Sequence, residues 1–273
     1  MNKKSFGSRY VSAPYVVWSV IFVIVPLIMV IYYAFTNSDG EFTLEYIIGL
    51  GRYSNTFGTS LLYAFIATLI CLIMSYPFAY FMARKSENTQ KTMMMLVLLP
   101  MWMNFLIRTY SWITILSNTG VINNLLQNLG LNTVQLINTP GAVILGMVYN
   151  FIPYMILPIY SIMCKIENPI LEASEDLGAN AYMKLKKIIL PMSLPGVISG
   201  ITMVFVPAVS TFYISQKLGG GKTLLIGDAI EAQFMSANNY NLGASLSLVL
   251  MILILISMFV MNKFADEDGG VLI

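Results

Sequence analysis

The chain has 273 residues, 57% of them hydrophobic and 10% charged, with 15 Lys and Arg against 13 Asp and Glu and a mean hydropathy of +0.74. That balance excludes an ordinary soluble domain and makes the chain an integral membrane protein. It holds no histidine, which excludes a Ser-His-Asp triad, a His-ligated metal and an imidazole relay.

Lys3 and Lys4 precede the first apolar run, as in a signal peptide. That run, Pro14–Phe35, exceeds the roughly 7–15 residue core of such a peptide, and no small-residue cleavage site follows, so it reads as an uncleaved first helix. Further runs long enough for a bilayer core of about 30 Å lie at Thr59–Ala83, Met93–Leu116, Gly141–Cys164, Met192–Ile214 and Leu242–Met261. The expectation is an all-α polytopic protein of about six transmembrane helices, with residues 1–273 forming a single transmembrane domain. Pro100, Pro153, Pro158, Pro195 and Pro207 fall within or beside these runs and predict kinked or broken helices around a cavity. Cys71 and Cys164 fall inside runs without ligand spacing and read as packing residues.

With Met1 in the cytoplasm, the inside segments carry Lys3, Lys4, Arg9, Arg84, Lys85, Lys91, Lys165, Lys184, Lys186, Lys187 and Lys263. Arg52, Arg108, Lys217 and Lys222 remain outside or within the runs, so the excess of inside cations predicts a plasma-membrane protein with both termini cytoplasmic. Gly219-Gly220-Gly221-Lys222-Thr223 is not a phosphate loop, because Gln216 stands where that spacing needs glycine. No acidic residue falls well inside a run, which argues against a carrier built on a buried carboxylate ion site. Energy for transport must then come from elsewhere.

Between the fourth and fifth runs lies a polar cytoplasmic loop, residues 166–191, that punctuates a short helix. Asn168 is the expected cap, Pro169 suits the first helical position and Gly178 suits a left-handed residue just past the end. Ile170, Ala173 and Leu177 share one face while Glu172, Glu175 and Asp176 lie toward the other, so the helix suits a groove on a soluble partner.

Glu172-Ala173-Ser174, Gly178, Ile188 and Leu190-Pro191 stand at the spacing of the cytoplasmic loop of ABC importer permeases, with Ser174 in place of an alanine. Ser75–Ala83 (SYPFAYFMA), Leu99–Tyr110 (LPMWMNFLIRTY), Gly146–Tyr154 (GMVYNFIPY) and Leu224–Phe234 (LLIGDAIEAQF) extend the likeness. The chain resembles the spermidine/putrescine importer permeases of the PotB type. The resemblance implies the type I importer permease fold and a non-catalytic subunit. It further implies two ATPase copies of the PotA type that bind ATP and magnesium, a second permease of the PotC type, and an external polyamine-binding protein of the PotD type. No cofactor, metal or nucleic acid is expected on this chain. Permeases for iron, thiamine, sulfate and phosphonate share the loop and remain alternatives, and a secondary carrier is a more distant one.

On this reading Ile170, Glu172, Ala173, Ser174, Leu177 and Gly178 couple the permease to the ATPase. Lys184, Lys186 and Lys187 sit against anionic lipid head groups or express topology alone. A polycation finds no acid in the runs, so the path draws on aromatic faces and amide oxygens, with Tyr149, Asn150, Tyr154, Phe212 and Tyr213 as candidates. Packing and interfacial anchoring are the alternatives for each. Asp228 and Glu231 in an outer loop are placed to attract a cation or meet the binding protein, with a solvated loop face as the equal alternative. Arg108 reads as a snorkelling anchor or a structurally paired residue.

Overall fold

The computed structural model describes residues 13–269, so the inside assignment of Lys3, Lys4 and Arg9 lies outside the described residues. Helices account for the architecture: α1 (Pro14–Ala34), α2 (Ser54–Ala83), α3 (Glu87–Trp102), α4 (Phe105–Leu116), α5 (Val121–Asn128) and α6 (Pro140–Met163). They continue as α7 (Asn168–Asp176), α8 (Ala181–Ser210), α9 (Tyr213–Gly219), α10 (Ile226–Met235) and α11 (Tyr240–Gly269). Among the described residues the only β pairing is an isolated antiparallel bridge between Thr36 and Phe42.

Two of these helices carry a π turn, Val20–Ile24 in α1 and Leu185–Ile189 in α8. Each stands just ahead of a proline, Pro26 and Pro191. Proline offers no amide to the preceding turn, and a wider turn lets the helix pass it without stopping.

Among the described residues five helices are long and apolar enough to cross a membrane, and α3 with its continuation through Asn128 makes a sixth if that bent pair is one span. Two expected spans are corrected. Met93–Leu116 is not one helix: α3 ends at Trp102, Met103 is extended, and the path turns by 89°. Asn104 starts the new helix by accepting the Leu106 amide at 2.8 Å, so the break is a capped end rather than a kink. Met192–Ile214 is also divided. The fifth span begins upstream at Ala181, ends at Ser210, and is cut from α9 by an extended Thr211 (ψ 142°).

The chain divides into two compact units. In the unit of residues 13–54 and 229–252, the N-terminal end of α11 grips the C-terminal end of α1. Asn241 Nδ2 donates to the Tyr33 and Thr36 carbonyls at 3.2 and 2.6 Å, and Ser245 Oγ donates to the Ala34 carbonyl at 3.2 Å. The Tyr33 and Ala34 carbonyls are among those the end of α1 leaves without a helical partner, and Thr36 lies just past it. Ala34, Ala244 and Leu248 pack beneath them.

In the unit of residues 55–228 and 253–269, α6 is the most deeply packed span and lies against α8 at two glycines. A Cβ on Gly196 would stand 2.8 Å from the Pro158 carbonyl oxygen, and one on Gly200 2.7 Å from Met155 Sδ. Without a hydrophobic drive between helices in lipid, such backbone approach supplies the packing energy. Gly146 of α6 receives Leu218 of α9 in the same manner. Cys71 is buried with its thiol toward the Val148 carbonyl, as a packing residue should be. Cys164 is not: α6 ends at Met163, and Cys164 is exposed just past it.

Candidate functional site

Beyond α6 the chain turns at Cys164–Glu167, with Ile166 buried at 2% exposure as the pivot of the turn. Glu167 is extended and precedes α7, placing Asn168 and Pro169 at its first two positions. The expected Asn168 cap is thereby corrected. Asn168 lies inside the helix and its Oδ1 accepts instead from Arg84 Nη1 at 2.9 Å. The other end follows the expectation. Gly178 is left-handed at φ +82°, its amide donates to the Glu175 carbonyl at 2.8 Å, and the Ala179 amide donates to the Ser174 carbonyl at 2.9 Å. That double bond is the Schellman motif, which turns the chain sharply while satisfying the last carbonyls. Asn180 then caps α8 by accepting the Met183 amide at 2.8 Å, and Lys184 pairs with Glu175 across the turn.

The faces of α7 divide as the periodicity requires. Ile170 is 40% and Leu177 89% exposed, with Ala173 exposed between them and Glu172, Glu175 and Asp176 alongside. Ser174 is the exception among the predicted coupling residues. It is buried and its hydroxyl donates to the Leu171 carbonyl at 2.7 Å, because Leu171 and Ser174 share the inward face. What remains outside is a short apolar ridge with an acidic flank. A soluble protein would cover such a ridge in its own core, so its place here on a polar loop suits a docking surface.

Of the cations that the sequence assigns to topology, Lys186 lies over the Tyr182 ring at 5.8 Å, and Lys184 is the partner of Glu175. Arg84 does more, and sequence reasoning missed it. Its Nη1 donates to the Ile166 carbonyl at 2.8 Å as well as to Asn168, while Tyr160 Oη donates to Gln90 Oε1 at 2.8 Å beside it. The only signal was Arg84 in an inside loop, which says nothing of its partner.

The predicted path residues separate into two groups along α4. Tyr149 meets Trp112 edge-on at 5.4 Å, and both line an apolar cavity of about 530 Å³ with Ile66, Met74 and Ile152. Tyr213 meets Tyr110 at 6.5 Å and Phe105 at 5.7 Å, and the Lys217 ammonium lies over both tyrosine rings at 5.8 and 5.7 Å. Tyr154 and Phe212 are partly exposed. Asn150 does not line the Tyr149 cavity: it is 2% exposed and its Nδ2 donates to the Gly146 carbonyl at 2.8 Å, one turn back on the inner face.

Asp228 is corrected as well. Rather than facing an entrance it is 4% exposed, accepting from Ser215 Oγ at 2.9 Å and the Leu225 amide at 2.8 Å, a cap at the start of α10. Glu231, one turn on, is half-buried and also engaged. Arg108 is 8% exposed with its guanidinium 5.9 Å from the Phe105 ring, so it packs in the interior and does not reach out to head groups. Among the described residues no group of His, Cys, Asp and Glu is arranged to hold a metal ion.

Comparison with known proteins places this geometry. The family described as binding-protein-dependent transport system inner membrane component matches residues 75–266. The spermidine/putrescine transport system permease protein PotB of Haemophilus influenzae is 37% identical over 89% of this chain and 88% of its own. That of Escherichia coli is 37% identical over 86% of this chain and 89% of its own. Among solved structures, a bacterial ABC transporter involved in the import of the acidic polysaccharide alginate superposes with a TM-score of 0.80, covering 97% of this chain and 96% of its own at 16% identity. At that identity the likeness shows the fold, that of an ABC importer permease.

Proposed function

Since the chain belongs to the family of binding-protein-dependent transport system inner membrane components, as a multi-pass permease subunit, we propose that it carries spermidine and putrescine into the cell, driven by ATP hydrolysed on a separate partner. The identity with permeases so named over most of the chain supports the substrate. The exposed Ile170–Leu177 ridge of α7, fixed by the Gly178 turn, is the observation that carries the coupling. The assembly contains two ATPase copies of the PotA type holding ATP and magnesium, a second permease of the PotC type and an external binding protein of the PotD type. Both termini face the cytoplasm.

The ridge seats in a groove of one ATPase copy through Ile170, Ala173 and Leu177, with Glu172 beside it. When ATP draws the ATPases together, α7 moves as a rigid piece. α6 and α8 leave its two ends and touch backbone to backbone at Gly196 and Gly200, so they move as a pair. Binding of ATP to one arrangement more tightly than the other then drives alternating access. Aromatic faces at Tyr149, Tyr154 and Phe212 suit a polyamine path, since a ring face attracts an ammonium without a buried carboxylate, while the Tyr213 face would have to exchange the Lys217 ammonium for the substrate's.

The test is uptake of labelled spermidine, putrescine and an iron complex by vesicles containing the whole importer, native or with Glu172→Lys or Leu177→Asp. ATP-dependent spermidine uptake abolished by both changes is the expected result. Uptake of another solute alone would discard the polyamine, and uptake that survives both changes would discard the docking ridge.

A further inference from the structure

Three contacts bind the segment from Arg84 to Gln90, at the α2–α3 junction, to the segment from Tyr160 to Asn168, at the α6–α7 junction, although Arg84 and Ile166 are 82 positions apart in the chain. Arg84 Nη1 donates at 2.8 Å to the Ile166 carbonyl and at 2.9 Å to Asn168 Oδ1. Gln90 Oε1 accepts from Tyr160 Oη at 2.8 Å, one turn before the end of α6. Gln90 Nε2 donates back to the Ala83 and Lys85 carbonyls at 3.2 and 2.8 Å, on either side of Arg84. The Arg84 guanidinium also lies over the Tyr80 ring at 5.5 Å, which steadies its stem against α2. Ile166 and Asn168 are the residues through which α7 joins α6, so the clamp grips the root of the docking helix rather than its face.

We propose that Arg84 and Gln90 are positioning residues for energy coupling: they fix the root of α7 to the end of α2, so that a push on the ridge turns the transmembrane helices instead of bending the loop. This rests on the coupling role given to α7 above. A helix joined to its neighbours only by the Cys164–Glu167 turn and the Gly178 turn can swing without moving either span. A third tether makes the loop rigid and adds α2 to the helices displaced. The grip has a further property. Arg84 Nε and Nη2 are buried and have no hydrogen-bond acceptor among the described residues, so a single nitrogen carries both bonds to the loop.

The experiment reads spermidine taken up per ATP hydrolysed by the complete importer in proteoliposomes. Arg84→Met keeps the apolar stem and removes the donor; the ratio is expected to fall by roughly fivefold or more while ATP turnover persists. Arg84→Lys restores one donor nitrogen and is expected to recover part of the ratio, which a role in packing alone would not distinguish from methionine. A ratio unchanged in Arg84→Met, or uptake and ATP turnover falling in proportion, overturns the proposal. Should Arg84→Met fail to assemble, Asn168→Ala removes one Arg84 contact and Gln90→Leu removes the Tyr160 contact with the bonds to the Ala83 and Lys85 carbonyls, each leaving the Arg84–Ile166 bond; an unchanged ratio in both overturns it equally. Leu177→Asp in the same series separates the two readings. If that change leaves uptake intact the docking ridge itself is wrong, whereas loss with Leu177→Asp and none with Arg84→Met removes the clamp alone. If the native importer takes up a different solute, the polyamine reading falls and the ratio is read with that solute.

Discussion

The Tyr76 hydroxyl lies 2.9 Å from the Ser193 hydroxyl, joining the last turns of α2 to the middle of α8. Ser193 donates its own proton to the Leu190 carbonyl at 3.2 Å, which leaves Tyr76 as the donor between the two. Removing it by Tyr76→Phe leaves Ser193 satisfied, so thermal unfolding in detergent should report a loss of about 0.5–1.5 kcal/mol. Ser193→Ala strands the tyrosine hydroxyl and is expected to lose more. A double variant whose loss equals the sum of the two single losses would show that the pair is not coupled.

The two glycines between α6 and α8 should be intolerant for a reason that a third glycine lacks. Gly196→Ala would bring a Cβ to 2.8 Å from the Pro158 oxygen and 3.1 Å from Ile159 Cα, both backbone, so the helices must part at a cost of about 1–3 kcal/mol. Gly58→Ala in α2 meets nothing within 4 Å and should stabilise by up to about 1 kcal/mol through helix propensity. Thermal shifts of opposite sign are the expected outcome.

At Gly178 there is also nothing within 4 Å, but φ is +82°. Gly178→Ala therefore carries a conformational penalty alone, about 1–2 kcal/mol, and Gly178→Asn a smaller one. Limited proteolysis of the 166–191 loop should order the variants native, Asn, Ala from slowest to fastest cut. Ala matching native would remove the left-handed turn from the account of α7.

Cys164 and Cys71 offer a test of sidedness without new residues. A membrane-impermeant maleimide should label Cys164 in inside-out vesicles and leave the buried Cys71 unmodified. Labelling of Cys164 only in right-side-out vesicles would reverse the orientation of the chain.

Asp228→Asn distinguishes a structural cap from an electrostatic lure. Losing a charge-assisted acceptor for Ser215 and the Leu225 amide is expected to lower stability by about 1.5–3 kcal/mol. The KM for polyamine and its dependence on salt should stay native. A raised KM with unchanged stability would restore Asp228 to the entrance.

The spans were legible because the bilayer demands long apolar runs, and Thr59–Ala83 and Gly141–Cys164 match α2 and α6 to within a few residues. Their interruptions were not. Pro100 and Pro207 predict a disturbance, but where the chain turns is decided by Asn104 capping the next helix and by Thr211 going extended. The end of α7 was readable from Gly178, since a left-handed residue leaves few alternatives. Its beginning was misread because Asn168 has two possible uses, capping its own backbone or accepting from elsewhere, and Arg84 takes up the second. A bond across more than eighty residues leaves no local pattern in either segment.

The Arg84–Ile166 bond also settles a matter of parity. Two residues in direct contact at the membrane surface must lie on one side, so the chain between them traverses the bilayer an even number of times. α6 is one traverse, and α3, α4 and α5 are all that remain to provide another. The 89° elbow at Met103 therefore divides a single passage and does not double back. Counted so, the described residues make six passages, and a substitution that folded the elbow back to the side it came from would invert every loop downstream of it.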